Sequence, residues 1–493
     1  MNFRHATLKR ARTTAAALTL SVDRGAPEPL HLQITAQVRA LILSRRAAPG
    51  ARLPSSRTLA ADLGAARSTV VLAFDQLAAE GYVETRRGSG AFVSRQLPNA
   101  APHKRPSRER VVSSIAASGG RAAAWRPFQI DAADASLFPR VAWARLLQRS
   151  WRDHGARMLD APDAFGWPPL RAAVSRHLRE WRGLRCESEQ VLVTSGVAEA
   201  IETIANVAFR PGESLFVEDP GYPAVASTLS RSGVKTIPVS IGAVGFDLAA
   251  ALRRGGAGRV RGAFVAPSRH FPLGVTMPIA SRLALLEWAE RVGGQVVEDD
   301  YDSEYRYSGA PLPSLFGLDA GGRAIYVGSF SKVLSRSLRL GFVVLPERLV
   351  GPARDRMARR AGAASIVAQP ALAEFIAGGD YAAHIRRTRR IYARRRDALT
   401  TASRAWGDLL ALEPCHAGLH AVARFGPALA HLDCDRQAAA ACLEAGVIAT
   451  PLSRYCARRP GQIGLLLGFA AFSEDRLDDA ARKLGRALAT LRR

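Results

Sequence analysis

Apolar positions along residues 32–45 return every three or four places, with Ile34, Val38, Leu41 and Ile42 on one side. That period predicts a helix with one face turned to a core, stopped by Pro49-Gly50. The stretch "RLPSSRTLAADLG" offers Ser55 or Ser56 as the cap of a short helix ending at Gly64. After a tight turn, "ARSTVVLAFDQLAAEGY" sets Val70, Phe74 and Leu77 at helical spacing, so Arg67, Ser68 and Thr69 project on the other side of the helix start. "YVETRRGSGAFVS" alternates like two short strands about a Gly-rich turn. Residues 96–125, rich in Pro, Ser, Gly and basic residues, lose all periodicity and predict a flexible or semi-extended linker. From Arg126 to the end, short apolar strands alternate with longer helical segments, the pattern of a large α/β domain with a mainly parallel sheet.

Helix, tight turn, helix and a hairpin wing, in that order, form a winged helix-turn-helix, an α+β module whose second helix reads the DNA major groove with its N-terminal residues. Residues 29–94 resemble the winged helix of GntR-type bacterial regulators through "RLPSSRTLA", "DLG", "RSTV", "AEGYVE" and "GSGAFV". The resemblance implies Arg57, Arg67, Ser68, Thr69 and the wing residue Ser89 as DNA contacts. The arginines suit guanine edges and the hydroxyls suit phosphates. Arg86 and Arg87 flank the wing turn and suit phosphates as well. The chain then divides into a tail (1–24), the DNA-binding domain (25–95), the linker (96–125) and the α/β domain (126–493).

Charge strengthens this picture. Lys and Arg number 69 against 43 Asp and Glu, a formal +26. Residues 1–110 hold 18 Lys/Arg against 7 Asp/Glu, so the excess is densest at the N-terminal end. Such a balance favours a polyanionic partner, and double-stranded DNA fits it, although an arginine-rich proteome gives the same sign. Five cysteines without a CxxC pair exclude a disulfide framework and a zinc site, and point to a reducing cytoplasm. The basic-then-apolar start mimics a signal peptide but leads directly into Asp23-Arg24-Gly25, and reads as a tail with a short first strand. No stretch approaches the roughly 18 apolar residues of a membrane span.

Four segments of the α/β domain carry chemistry. "QVLVTSGVAEAIETIANVAF" is a strand, a Thr194-Ser195-Gly196 turn and a helix, whose first amides favour an anion. "ESLFVEDPGYPAV" ends a strand in a turn bearing Tyr222. "GQVVEDDYDSEYRY" ends a strand in Glu298, Asp299, Asp300, Tyr301 and Asp302. "AIYVGSFSKVLSRSLRLGFVVLP" holds Lys332 in a hydroxyl-rich loop between strands. Pyridoxal 5′-phosphate asks for this set: an amine to form a Schiff base, a carboxylate for the pyridinium nitrogen, a donor for the ring oxygen and a phosphate cup. Lys332 offers the amine, Asp299 the carboxylate and Tyr301 the phenol. Ser195, Gly196, Ser329 and Arg339 offer the cup. Open α/β sheets gather such groups at the carboxyl ends of their strands.

In this order the segments resemble fold-type I aminotransferases over residues 130–480. Joined to the head, the whole chain resembles the MocR subfamily of GntR-type regulators, through "VEDPGYP", "EDDYDSEYRY" and "GSFSK" with "SLRLG". That resemblance implies pyridoxal phosphate linked to Lys332, Tyr222 beside the cofactor or an amine effector, Val197 in the phosphate turn, and a domain-swapped, head-to-tail homodimer on paired or repeated operator sites. Three departures stand out. Val197-Ala198 replaces the polar side chains of the phosphate turn. "PSRHFPLG" puts Arg269-His270-Phe271 where aminotransferases carry an Asn, leaving Tyr301 to tune the Schiff base more or less alone. "GQIGLLLGFAAF" has leucines where a strand arginine anchors a substrate carboxylate, so that Arg454 or Arg424 is left to substitute.

A run of seven arginines in "HIRRTRRIYARRR" (384–396) keeps a helical stripe of Ile385, Thr388 and Tyr392. It reads either as a solvated helix face or as a second DNA-backbone contact. Three functions fit the two halves together. One is a regulator that senses the cofactor or an amine or amino-acid effector through Lys332, another a working aminotransferase with a DNA-binding head, and the third a DNA-binding scaffold with a dead pocket.

Overall fold

A computed structural model describes residues 20–86, 90–95, 126–130, 133–160, 163–243, 245–255, 260–309, 313–360, 363–457 and 462–492. The chain divides into two compact units, Met1–Ala122 and Ala123–Arg493. In the first, α1 (Leu30–Leu43), α2 (Ser56–Asp62) and α3 (Arg67–Ala79) precede a hairpin of β1 (Val83–Arg86) and β2 (Gly90–Val93). The apolar stripes do what their period requires. Ile34, Val38, Ile42, Leu59, Val70, Phe74, Leu77, Val83 and Val93 close one core. Ser55 caps α2 by accepting the Thr58 amide at 3.1 Å. A two-pronged Arg39–Glu80 ion pair, at 2.9 and 2.7 Å, ties α1 to the end of α3. Leu20, Ser21 and Val22 are not in a strand, against the expectation of a short first one, and Gln37 instead exchanges hydrogen bonds with Ser21. The rest of that expected strand lies outside the described residues.

The second unit is built on an eight-stranded sheet. Its strands in chain order are β3 (Val191–Thr194), β4 (Ser214–Asp219), β5 (Lys235–Gly242), β6 (Gly245–Phe246), β7 (Val260–Val265), β8 (Gln295–Asp300), β9 (Ala324–Ser329) and β10 (Gly341–Val344). Across the sheet they stand β3-β10-β9-β8-β7-β4-β5-β6. The run β9-β8-β7-β4-β5 is parallel, and β10 is antiparallel to both neighbours. All six residues of β8 are buried, as a central strand covered on both faces must be. The carboxyl ends of β3, β4, β7, β8 and β9 therefore share one edge, and the start of β10 returns to it, with Gly341 opposite both Thr194 and Ser329. A smaller antiparallel sheet follows, with β11 (Leu410–Leu412), β12 (His420–Phe425), β13 (Thr450–Pro451) and β14 (Leu465–Gly468) in the order β11-β12-β14-β13.

The arginine-rich helix spans Asp380–Ser403, with the expected stripe of Ile385, Thr388 and Tyr392 buried and Arg386, Arg387, Arg390 and Arg394 on its exposed side, but its other arginines are taken up inside the domain. Arg395 is buried, ion-paired to Asp134 at 2.9 Å and bonded to the Ala470 carbonyl. Arg389 donates to the Glu304 carbonyl and lies over the Trp181 ring, while Arg396 lies over Tyr307. Arg387 reaches the Leu137 carbonyl and Arg394 pairs with Glu474. These partners come from distant parts of the chain, so the run stitches the domain together. Arg386 and Arg390 are exposed.

Candidate functional site

Five chain segments meet at the carboxyl edge of the large sheet around a cavity of about 250 Å³. Lys332 enters it from the loop between β9 and β10, with Ser329, Ser331, Arg336 and Arg339 of the same loop. Ser195, Gly196, Val197 and Ala198 form the facing wall at the start of the helix Val197–Ala208. Tyr222 comes from the end of β4, Phe271 from beyond β7, and Asp299 and Tyr301 from the end of β8. All nine residues expected around a cofactor thus line one cavity. Ala198 and Phe271, singled out in the sequence as departures, line it too; sequence reasoning missed Ser331 and Arg336 as wall residues. The spacing in "SKVLSRSLRLG" carried a signal for Arg336, which stands three residues before Arg339 and so on the same side of a short turn.

The wall at the start of that helix follows from local geometry. Gly196 adopts φ +113° and ψ −179°, a backbone state open to glycine at little cost. A side chain there would meet nothing, so the backbone conformation demands the glycine, not lack of space. The helix that follows has no side-chain cap, and its first amides lack intrahelical acceptors by construction. The Ser195 amide, expected to join the grip, is already taken by Glu199 at 2.5 Å. Glu199 is in turn paired with Arg360 at 3.1 Å. The remaining positive charge comes from Arg336 and Arg339, and Arg339 holds a left-handed backbone (φ +51°) uncommon for a non-glycine residue.

Asp299 is buried, and its Oδ1 has no hydrogen-bond partner among the described residues. Burial, with Asp300 and Asp302 adding to it and Lys332 opposing, pushes its carboxyl up to about 7. A buried carboxylate oxygen left without a donor is costly unless something fills the cavity beside it. A pyridinium N–H is a donor of the required kind, so these residues fit pyridoxal phosphate. The neighbouring carboxyls point elsewhere. Asp300 takes Arg182 at 2.9 Å, Tyr326 at 2.6 Å and Ser303 at 2.9 Å on the other face of β8.

Tyr301 is not alone. Its hydroxyl accepts from Arg269 Nη1 at 2.8 Å, and burial holds the phenol well above its ordinary range. Phe271 stands where a polar residue was expected. It meets Tyr222, Tyr301 and His420 edge-to-face, and Tyr455 at 5.0 Å. The Tyr222 turn is clasped to the C-terminal lobe, where Gly221 donates to the Tyr455 carbonyl at 3.0 Å and Ala457 to Asp219 at 2.8 Å.

The two expected carboxylate anchors separate. Arg454 lines a second cavity that shares Tyr222, Phe271 and Asp299 with the first. Arg424 lines neither. It is held by Glu413 at 2.7 Å, Gln462 at 3.0 Å and the Ile463 carbonyl, and lines a separate cavity with Glu413 and Gln462. Leu465, Leu466 and Leu467 are buried. In the N-terminal unit Arg57, Arg67 and Ser68 are exposed and Thr69 half-buried, all on α2 or the first turn of α3. Ser89 and Arg87 lie outside the described residues.

Comparison with known proteins agrees with both halves. Residues 30–93 match the model of bacterial regulatory proteins of the gntR family, and residues 132–484 that of aminotransferase class I and II. The chain is 36% identical to "Probable rhizopine catabolism regulatory protein MocR" of Rhizobium meliloti, over 96% of each chain. It is 32% identical to "HTH-type pyridoxine biosynthesis transcriptional regulator PdxR" of Corynebacterium glutamicum, over 94% of this chain and 96% of that one. Among solved structures it resembles LysN, the α-aminoadipate aminotransferase of Thermus thermophilus in complex with N-(5′-phosphopyridoxyl)-L-leucine. That match has a TM-score of 0.65 at 28% identity, and covers 74% of this chain and 92% of the other.

Proposed function

This chain belongs to the MocR subfamily of GntR-type regulators, and from that premise we propose that it is a DNA-binding transcriptional regulator whose aminotransferase-like domain holds pyridoxal phosphate on Lys332 and senses that cofactor or an amine or amino-acid effector. The observation that carries the reading is the buried, donor-less Asp299 Oδ1 in the same cavity as Lys332. When bound, pyridoxal phosphate supplies an aldehyde that condenses with a primary amine. The residues around it have separable tasks. Lys332 provides the amine, Asp299 the acceptor for the ring nitrogen, and Tyr301 a hydroxyl. The Gly196–Ala198 amides, Ser195, Ser329 and the two arginines receive the phosphate.

An effector shifts the protein only so far as it binds one arrangement better than another. The clasp between the Tyr222 turn and residues 452–457 is the natural element for such a difference, since Tyr222 and Arg454 both border the second cavity. A homodimer fits the exposed apolar residues of the helix Arg140–Leu159. Val141 and Leu159 are about five turns apart and so share a face, and Trp151 is exposed as well. A second copy is the occupant we assign to that face, with two heads for a repeated operator.

The test combines two assays on the purified full chain. Pyridoxal phosphate should give a visible absorbance band and a borohydride-trapped adduct on Lys332, and primary amines should change both the band and the footprint on the chain's own upstream DNA. Sustained keto-acid production, on the order of one turnover per second or more, would instead make it a working aminotransferase.

A further inference from the structure

We propose that Arg269 is the positioning residue for the Tyr301 phenol, and that it holds that phenol by anchoring it to the C-terminal sheet. This rests on the reading of the cavity given above. Arg269 lies just beyond β7 and is 4% exposed. Its Nη1 donates to Tyr301 Oη at 2.8 Å and to Asp302 Oδ2 at 3.1 Å, and its Nη2 donates to the His420 carbonyl at 2.8 Å. One planar fork thus joins the end of β8 to the first residue of β12.

Polarity follows from the donor inventory. A guanidinium has no acceptor, so Tyr301 Oη must accept from it. The phenol's own proton is then left to donate, and Tyr301 borders the cavity. Asp302 balances the buried cation, which would otherwise be costly. The charged groups facing the phenol are Arg269, Asp302 and Asp299. Burial keeps the phenol protonated, with Arg269 opposing that push.

Backbone space is reserved for the strut. Gly418 sits at φ +84°, and a Cβ there would run into the Arg269 guanidinium. That segment is fixed independently, since Gly418 donates to the Tyr305 carbonyl at 2.8 Å and accepts from Tyr307 Oη at 2.6 Å. Phe271, two residues on, lines the cavity with a ring that offers no hydrogen bond. Tyr301 is therefore the hydroxyl donor at the β8 end, and its aim depends on Arg269.

The experiment uses the full chain loaded with pyridoxal phosphate and follows the pH midpoint of the absorbance band. A phenol that donates to the cofactor's ring oxygen weakens that oxygen's hold on the proton of the lysine-linked nitrogen. Losing the donation should raise the midpoint. Tyr301→Phe and Arg269→Met should each raise it by about one pH unit, a tenfold change in proton affinity. The double variant should move no further than Tyr301→Phe alone, because the two act as a unit. Arg269→Lys, which keeps the charge and loses the fork, should fall between. If Arg269→Met does not fold, Arg269→Lys alone must move the midpoint. A purely structural strut would lower thermal stability and leave the midpoint at the wild-type value. An unmoved midpoint in a wild-type-like band, or additive shifts in the double variant, sinks this inference alone. A wild-type chain that gains no band sinks the reading of the cavity and this inference with it.

Discussion

Replacing Asp299 by Asn should stabilise the cofactor-free chain at neutral pH and weaken its hold on pyridoxal phosphate. Burial first, and then Asp300 and Asp302, lifts the carboxyl from the ordinary 3.8 to about 7. The sign follows from linkage. A carboxyl whose folded pKa is raised binds its proton more tightly in the folded state. Its favourable contribution is complete below the unfolded pKa and is lost as pH rises through the folded one. Wild-type apoprotein therefore loses stability between about pH 4 and pH 7 on account of this group. Three units at 1.36 kcal/mol each set a ceiling of about 4 kcal/mol. The amide removes that penalty but buries an N–H₂ group without a sure acceptor, which returns roughly 1–3 kcal/mol. A net gain of about 1–3 kcal/mol above pH 7 remains. The assay is urea unfolding of both apoproteins from pH 4.5 to 8.5, taken as the difference between them. Subtraction matters because Glu298, Glu304 and Glu218 are pushed into the same range by their own burial. The difference should grow with pH up to about 7 and then flatten, while cofactor titration shows weaker binding in the variant. A difference that stays flat across the whole range would show that Asp299 is an ordinary solvated carboxylate and refute the argument.

Lys332→Ala should abolish both the absorbance band and the trapped adduct, and leave operator affinity within about twofold by gel shift, well under the 1.4 kcal/mol of a tenfold change. Arg67→Ala should do the reverse, weakening the cognate sequence by about 1–3 kcal/mol relative to random DNA with the band unchanged, as measured by competition binding. Arg395→Ala takes away the cation opposite Asp134, which keeps its Ser136 hydrogen bonds, and frees the Ala470 carbonyl; it should cost about 2–3 kcal/mol in urea unfolding. Arg386→Ala, on the exposed side of the same helix, should stay within about 0.5 kcal/mol. If Arg386→Ala instead weakened DNA binding with stability unchanged, the helix would have a role in DNA contact after all.

What could be read from the sequence tracks the range of the interactions involved. Ile34, Val38 and Ile42, or Val70, Phe74 and Leu77, announce their burial by spacing alone, and the hydroxyl-rich Lys332 loop announces itself by composition. Strand ends could be placed because turn residues mark them, and a parallel sheet then brings those ends to one edge. Two of the missed contacts share one cause. Arg269 meets His420 and Arg395 meets Asp134 across 151 and about 260 residues of chain. No local pattern records such a partner. Arg424 looked like a spare cation in "HAVARF", but Glu413, eleven residues back, and Gln462 hold it. Ser195 stays at the cavity as expected, but only the folded helix start reveals that Glu199 takes its amide.

The packing of Gly418 against the Arg269 guanidinium also constrains how this molecule could have come about. Any side chain at 418 contests the volume that the longer residue at 269 needs. The smaller position had to be emptied before, or together with, the lengthening of the other. Shortening the residue at 269 would relieve the clash but not the positive φ at 418, so a library randomised at both positions should still return glycine at 418.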